Sequence, residues 1–288
     1  MPESKKYKSA ADFRKALEEK VRASWKNQPG SQYQDHTRIV AFERCLARFN
    51  PDKTTLKGGY ALELRLTNAR LTKDMDLTIT EKKLLIVDQK KQAEAIREYV
   101  QEVLDADIGD YFVFEVKQGA QHLKNAEGGG TRITVVAKVD GRVFREFHID
   151  IEIREKEILP PERHKGQNVL GFAGVPNPTI SLTSGEVMFA EKLNAYTAQW
   201  NDRENTRVKD IVDLNCLLDQ HLDFNKINLA IAKVFQPGKL PEQLPYPPSF
   251  WSKEYTKLAS QANLNLDLEQ SYARLNDFYK KIRGDALL

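Results

Sequence analysis

The chain has 288 residues, of which 41% are hydrophobic and 30% charged, with a formal net charge of +3. That length builds one large domain or two modest ones around a real core. Nothing in it reaches the roughly 18 uninterrupted apolar residues of a membrane span, and "MPESKKYKSAADFRK" at the start lacks the apolar run of a signal peptide, so a cytoplasmic protein is expected. Cys45 and Cys216 each precede a leucine in helix-like sequence and read as small buried apolar residues, not as a disulfide framework. The histidines His36, His122, His148, His164 and His221 show no metal-ligand spacing, which disfavours zinc chemistry. The slight basic excess leaves a polyanionic substrate open without requiring one.

In chain order, residues 10–26 place Phe13, Leu17, Val21 and Trp25 on one helical face, and a turn follows at Asn27 to Ser31. "DHTRIVAFERCLARF" carries Ile39, Phe42, Leu46 and Phe49 at helical spacing. Gly58-Gly59 then opens a short helix. After it Leu77 and Ile79 alternate with Asp76 and Thr78 as in a half-buried strand. Residues 86–104 read as a helix through Ile96, Val100 and Leu104, and "YFVFEV" (111–116) as a strand.

Thr131 to Ile153 reads as two strands joined at Asp140-Gly141, a short-range hairpin signal. In the second strand Phe147, Ile149, Ile151 and Ile153 share one face. His148, Asp150 and Glu152 share the other, an acidic face with no cation interleaved. "AEGGGTR" (Ala126 to Arg132) looks like a flexible loop entering the hairpin. After Ile158 the composition turns loop-like. Two helices follow, "SGEVMFAEKLNAYTAQW" and "NTRVKDIVDLNCLLDQH", then a Pro-rich crossing at Gln236 to Trp251 and two further helices. Helices, mixed strands and helices again argue an α+β fold with a helical C-terminal part.

Asp74 and Asp76 stand at period two, so their carboxylates leave one strand on the same side. Like charges that close shift each other's pKa unless a cation lies between them. A solvated surface strand tolerates the pair, and Mg²⁺ shared with substrate phosphates would exploit it. Gly58-Gly59 before a helix suits the approach of backbone N–H groups to a phosphate. Asp150, on another strand, is either a surface residue or a third carboxylate for a two-metal site or a base.

Gly58-Gly59, Ala61-Leu62, Arg70, Thr72 and Asp74-Met75-Asp76 resemble the first motif of the DNA polymerase β-like nucleotidyltransferases, and more narrowly the AbiEii/AbiGii toxins of type IV toxin–antitoxin and phage-abortive systems. "EVMFAEKLNAY" (186–196) and "RVKDIVDL" (207–214) resemble two further motifs of that family, in the right order. Tyr60 departs from the small hydroxyl residue usual after the glycines, which puts one hydroxyl contact to the nucleotide in doubt. Met75 replaces leucine at similar volume.

The resemblance implies a nucleotidyltransferase-type mixed β-sheet flanked by helices over residues 1–178, N-terminal helices included, and a helical domain over 179–288. It implies that Asp74 and Asp76, with Asp150, hold Mg²⁺ or Mn²⁺. Gly58, Gly59, Tyr60 and Thr72 would contact the NTP, Lys192 would neutralise phosphate charge, and Asp210 would orient Lys192 or the nucleotide. Arg207 and Lys209 are candidates for the acceptor's phosphates. The implied reaction moves NMP from an NTP to an acceptor hydroxyl, the 3′ end of tRNA in known cases of the family, which blocks translation. A cognate antitoxin encoded nearby is the expected partner. A protein or small-molecule acceptor such as an antibiotic, or a non-catalytic NTP-binding module, are the alternatives.

Overall fold

The computed structural model describes residues 7–27, 32–66, 69–123, 129–198 and 205–285. The chain divides into two compact units. The first comprises Met1–Tyr60, Lys73–Glu157 and Glu162–Leu182; the second comprises Ala61–Thr72, Ile158–Pro161 and Thr183–Leu288.

The first unit is built on a mixed sheet. Its strands are β1 (Thr54–Lys57), β2 (Met75–Ile79), β3 (Phe112–Val116), β4 (Gln121–His122), β5 (Gly130–Val139), β6 (Arg142–Ile153), β7 (Glu162–Lys165) and β8 (Thr179–Leu182). The order is β3-β5-β6-β2-β1-β8-β7, with β4 also on β5. The pairs β2–β6 and β1–β8 are parallel and the others antiparallel. Helices α1 (Ala10–Lys26), α2 (Tyr33–Leu46) and α4 (Gln89–Leu104) pack on it.

Each of these helices begins where the sequence supplies a partner for its free N–H groups. The Ser9 hydroxyl accepts from the Asp12 N–H, Asp35 accepts from the Gln32 N–H, and Asp88 accepts from the Lys91 N–H. On α1, Phe13, Leu17 and Val21 are buried as their spacing predicts, but Trp25, expected on the same face, is exposed at the helix end. Phe42 of α2 meets Phe147 of β6 with ring centroids 5.0 Å apart. Beneath α2, Arg44 and Arg48 both close on Asp110, and the Arg48–Asp110 pair is fully buried.

The hairpin turn forms where expected. Asp140 and Gly141 both take positive φ, 53° and 67°, as a two-residue turn of this hand demands. The face of Phe147, Ile149, Ile151 and Ile153 is buried; on the other face His148 is exposed and Asp150 half-buried, while Glu152 is buried.

Two elements carry no clear sequence signal: β1 precedes the glycine pair, and β7 lies inside the stretch read as loop. Helix α7 (Phe224–Val234), before the Pro-rich crossing, was passed over although Asp223 caps it and Phe224, Ile227 and Ile231 stand at helical spacing. Of the loop expected at Ala126 to Arg132, residues 126–128 lie outside the described residues. Gly130, Thr131 and Arg132 already belong to β5. Residues 28–31 of the expected turn also lie outside them.

Most of the second unit is helical: α5 (Gly185–Thr197), α6 (Val208–Leu218), α7, α8 (Ser252–Gln261) and α9 (Leu268–Asp285). Helix α5 packs on α6 and α7, and α9 packs on α6. Among the described residues no helix is long and apolar enough to cross a membrane.

Candidate functional site

In the first unit, β1 runs directly into α3 (Gly58–Arg65), whose first residue, Gly58, has φ +66°. A Cβ at Gly58 would overlap the Asp76 carboxylate. Glycine is therefore required twice, for its left-handed backbone and for this close approach. Gly59 follows in the first turn of the helix.

The register explains why the acidic residues gather. Asp76 stands opposite Lys57 of β1 and beside Asp150 of β6, and Asp150 stands opposite Arg132 of β5. Asp74 precedes β2, whose first residue is Met75. Arg132 grips Asp150 with two bonds, Nε to Oδ1 at 2.6 Å and Nη2 to Oδ2 at 2.7 Å. Its Nη2 also lies 3.8 Å from Asp74 Oδ2. The bond to Asp150 raises the Arg132 pKa above its ordinary value, and Asp74 and Asp76 add to the effect. An acidic face free of cations was therefore the wrong expectation. Arg132 comes from the neighbouring strand, and Glu152 is likewise paired with Lys57 and Arg154.

A hard divalent cation fits this face on three observations. The donors are carboxylate oxygens, a cationic side chain already sits among them, and Gly58 keeps the Asp76 side clear of a side chain. Four carboxylates (Asp74, Asp76, Asp150 and Glu152) against three cations (Arg132, Lys57 and Arg154) leave the face negative by one charge. Among the described residues no group of three or more His, Cys, Asp or Glu is placed to hold a metal ion, so Asp74, Asp76 and Asp150 do not make a three-carboxylate site in this arrangement. Two carboxylates completed by substrate phosphates match that arrangement better than an all-protein cage.

Tyr60 turns away from any such role. It is 0% exposed, and its hydroxyl donates to Glu43 Oε1 at 2.9 Å. Burial raises the Glu43 pKa to about 7, against the lowering effects of the Tyr60 bond and of Arg44. The departure from a small hydroxyl residue thus belongs to the core, and a side-chain contact from Tyr60 to a nucleotide is not available in this arrangement.

In the second unit the three motifs meet. Asp213 of α6 is fully buried and receives Lys192 Nζ of α5 at 2.6 Å, Arg70 Nε at 2.9 Å and Arg70 Nη2 at 2.8 Å. Burial alone would raise the Asp213 pKa, but Lys192 and then Arg70 hold it below its ordinary value. Asp210, also buried, takes Arg207 Nε at 2.5 Å and lies 3.9 Å from Lys192 Nζ. Lys209 is exposed on the same helix. Although the residue as a whole is exposed, partial removal of its ammonium from water, and then the neighbouring Arg207, lower its pKa. Thr72 is half-buried, and its backbone N–H donates to Glu63 Oε1 at 2.5 Å.

Lys192 is therefore no solvated surface lysine. The principal partner that holds it is Asp213, which sequence reasoning passed over although it stands inside the third motif. Arg70 and Arg132 were passed over too. Arg70 had a signal, its place in the first motif. Arg132 had none, because its partner lies 18 residues away and is chosen by strand register.

No curated protein matches the sequence. Among solved structures, the MenT4 nucleotidyltransferase toxin of Mycobacterium tuberculosis H37Rv is 18% identical, with 93% of this chain and 98% of that chain covered at a TM-score of 0.51. JHP933 of Helicobacter pylori is 17% identical, with 88% of this chain and 94% of that chain covered at a TM-score of 0.44. The first of these likenesses supports a shared nucleotidyltransferase fold. The model of the AbiEii nucleotidyl transferase toxin family, described as type IV toxin–antitoxin, matches residues 43–280, a span that contains the glycine turn, the acidic strands and the Lys192–Asp213 cluster. The chain belongs to the AbiEii family of nucleotidyltransferase toxins.

Proposed function

We propose that this toxin transfers NMP from an NTP to an acceptor hydroxyl, that the acceptor is the 3′ end of tRNA, and that the product blocks translation in the cytoplasm. The observation that carries the reading is the close approach of Gly58 to the Asp76 carboxylate, which leaves no room for a Cβ and unites a phosphate-type turn with an acidic strand.

Asp74 and Asp76 are assigned to hold Mg²⁺ or Mn²⁺, with Asp150 as the third carboxylate. The bound ion would neutralise triphosphate charge and polarise the phosphate under attack. The Gly58-Gly59 backbone offers N–H groups to phosphate oxygens. Thr72 is kept as a nucleotide contact through its hydroxyl, since its N–H is engaged by Glu63. The acceptor oxygen bonds to the α-phosphorus, the bond to the β-phosphate oxygen breaks, and pyrophosphate leaves. Asp150 is assigned to take the hydroxyl proton.

Lys192 is assigned to neutralise phosphate charge, and Asp213 and Asp210 to fix its ammonium. Arg207 and Lys209 are assigned to acceptor phosphates. Arg70, Lys192, Arg207 and Lys209 gathered around Asp210 and Asp213 make a cation-rich cluster of the kind that attracts polyanions. A cognate antitoxin is the expected regulatory partner.

The acceptor is tested by offering each NTP, labelled at the α-phosphate, with total tRNA or with total protein and sizing the labelled product on a gel. Label on tRNA from one preferred NTP is expected. Label on protein alone would contradict the RNA acceptor and favour a protein-modifying transferase.

A further inference from the structure

Arg132 has no part in the reaction as assigned, yet it holds both oxygens of Asp150. A two-pronged guanidinium–carboxylate pair engages both carboxylate oxygens in plane. While it stands, Asp150 is a poor ligand for a second cation and a poor acceptor for a proton. The same guanidinium lies 3.8 Å from Asp74 Oδ2, so it partly neutralises a second carboxylate of the row.

This arrangement differs from a sealed structural ion pair. The fully buried Arg48–Asp110 pair beneath α2 is such a strut. The Arg132 side chain is 38% exposed, that of Asp150 18% and that of Asp74 39%, so the pair opens to water on the guanidinium side. A guanidinium that is partly in water gives up a carboxylate at lower cost than a sealed one. Strand register keeps it at the acidic row whether or not the pair is closed, because Arg132 stands opposite Asp150 and Asp150 beside Asp76.

We propose that Arg132 is a placeholder cation. It occupies the acidic row in the free protein, keeps affinity for free divalent metal low, and releases Asp150 when metal arrives together with nucleotide phosphates. The proposal rests on the metal reading given above. It makes metal binding and nucleotide binding cooperative, since the ion that displaces Arg132 is favoured when phosphates complete its coordination.

The test is Mn²⁺ binding to the full chain without nucleotide, followed by the loss of the free-ion electron paramagnetic resonance signal. Wild type, Arg132→Gln, Arg132→Lys and Asp76→Asn are compared, with a circular dichroism melt of each. Arg132→Gln is expected to bind Mn²⁺ at least about tenfold more tightly than wild type, equivalent to about 1.4 kcal/mol. Arg132→Lys, which keeps charge but not the two-pronged grip, should fall between them. Asp76→Asn should bind more weakly than wild type. If Arg132→Gln binds no more tightly while Asp76→Asn loses binding, the placeholder role is overturned and the metal reading stands. Asp76→Asn binding as well as wild type would overturn both. Should Arg132→Gln fail to fold, Arg132→Lys decides: affinity no higher than wild type overturns the proposal.

Discussion

Lys192 Nζ lies 2.6 Å from Asp213 Oδ2, on the same buried carboxylate that takes both prongs of Arg70. Removing that carboxylate's charge leaves two cations in the protein interior without their principal partner. Breaking a buried pair from one side costs about 3–5 kcal/mol, so Asp213→Asn should lose stability of that order in urea unfolding. Lys192→Ala leaves Asp213 paired with Arg70 and should cost less, about 1–2 kcal/mol, while NTP use falls sharply. A Lys192→Ala protein that transfers label as fast as wild type at sub-saturating NTP would refute the phosphate role.

The Gly58 contact makes a second expectation. Alanine there meets a strained φ of +66° and the Asp76 carboxylate at once. Gly58→Ala should lower stability by about 1–3 kcal/mol and weaken Mn²⁺ binding by displacing Asp76. A variant with wild-type melting and wild-type Mn²⁺ affinity would show that the close approach has no consequence.

Glu43 supplies a pH dependence. Its pKa is 4.5 without burial and about 7 in the folded chain, so the fold retains a proton that the unfolded chain gives up. Stability tied to this group is fully present below pH 4.5 and is lost as pH rises through about 7. Glu43→Gln removes the charge and keeps the shape. It should gain relative to wild type between pH 5 and 8, by at most about 3–4 kcal/mol at 1.36 kcal/mol per pKa unit. Parallel stability–pH curves for the two proteins would show that Glu43 does not titrate in this range.

How much of this was legible depended on whether a signal was local. The α1 face, the Asp140-Gly141 turn and the two faces of β6 are set by periodicity or by turn chemistry within a few residues. The turn formed as read, while Trp25 at the end of the α1 face is exposed and Glu152 on the polar face of β6 is buried. β1 and β7 are four residues each and carry too few alternations to show a period; β7 is also wholly polar, Glu162-Arg163-His164-Lys165. Arg132 looked like the end of a glycine loop, and only the β5–β6 register brings it to Asp150. Tyr60 was read beside the glycines as a nucleotide contact, but helix α3 turns it inward to Glu43. Asp213 was visible in its motif, yet nothing local told it from Asp210. The difference is the arrival of Arg70 from 143 residues away.

Metal-dependent nucleotide transfer is assigned above all to Asp74 and Asp76. Its most direct measurement is the rate of label transfer from α-phosphate-labelled NTP to tRNA in Mg²⁺, for wild type and for Asp76→Asn at equal folded concentration. Wild type should transfer label until the metal is chelated, and Asp76→Asn should transfer only at background level. Transfer by Asp76→Asn within about twofold of wild type, a difference of only about 0.4 kcal/mol in barrier, would contradict that assignment.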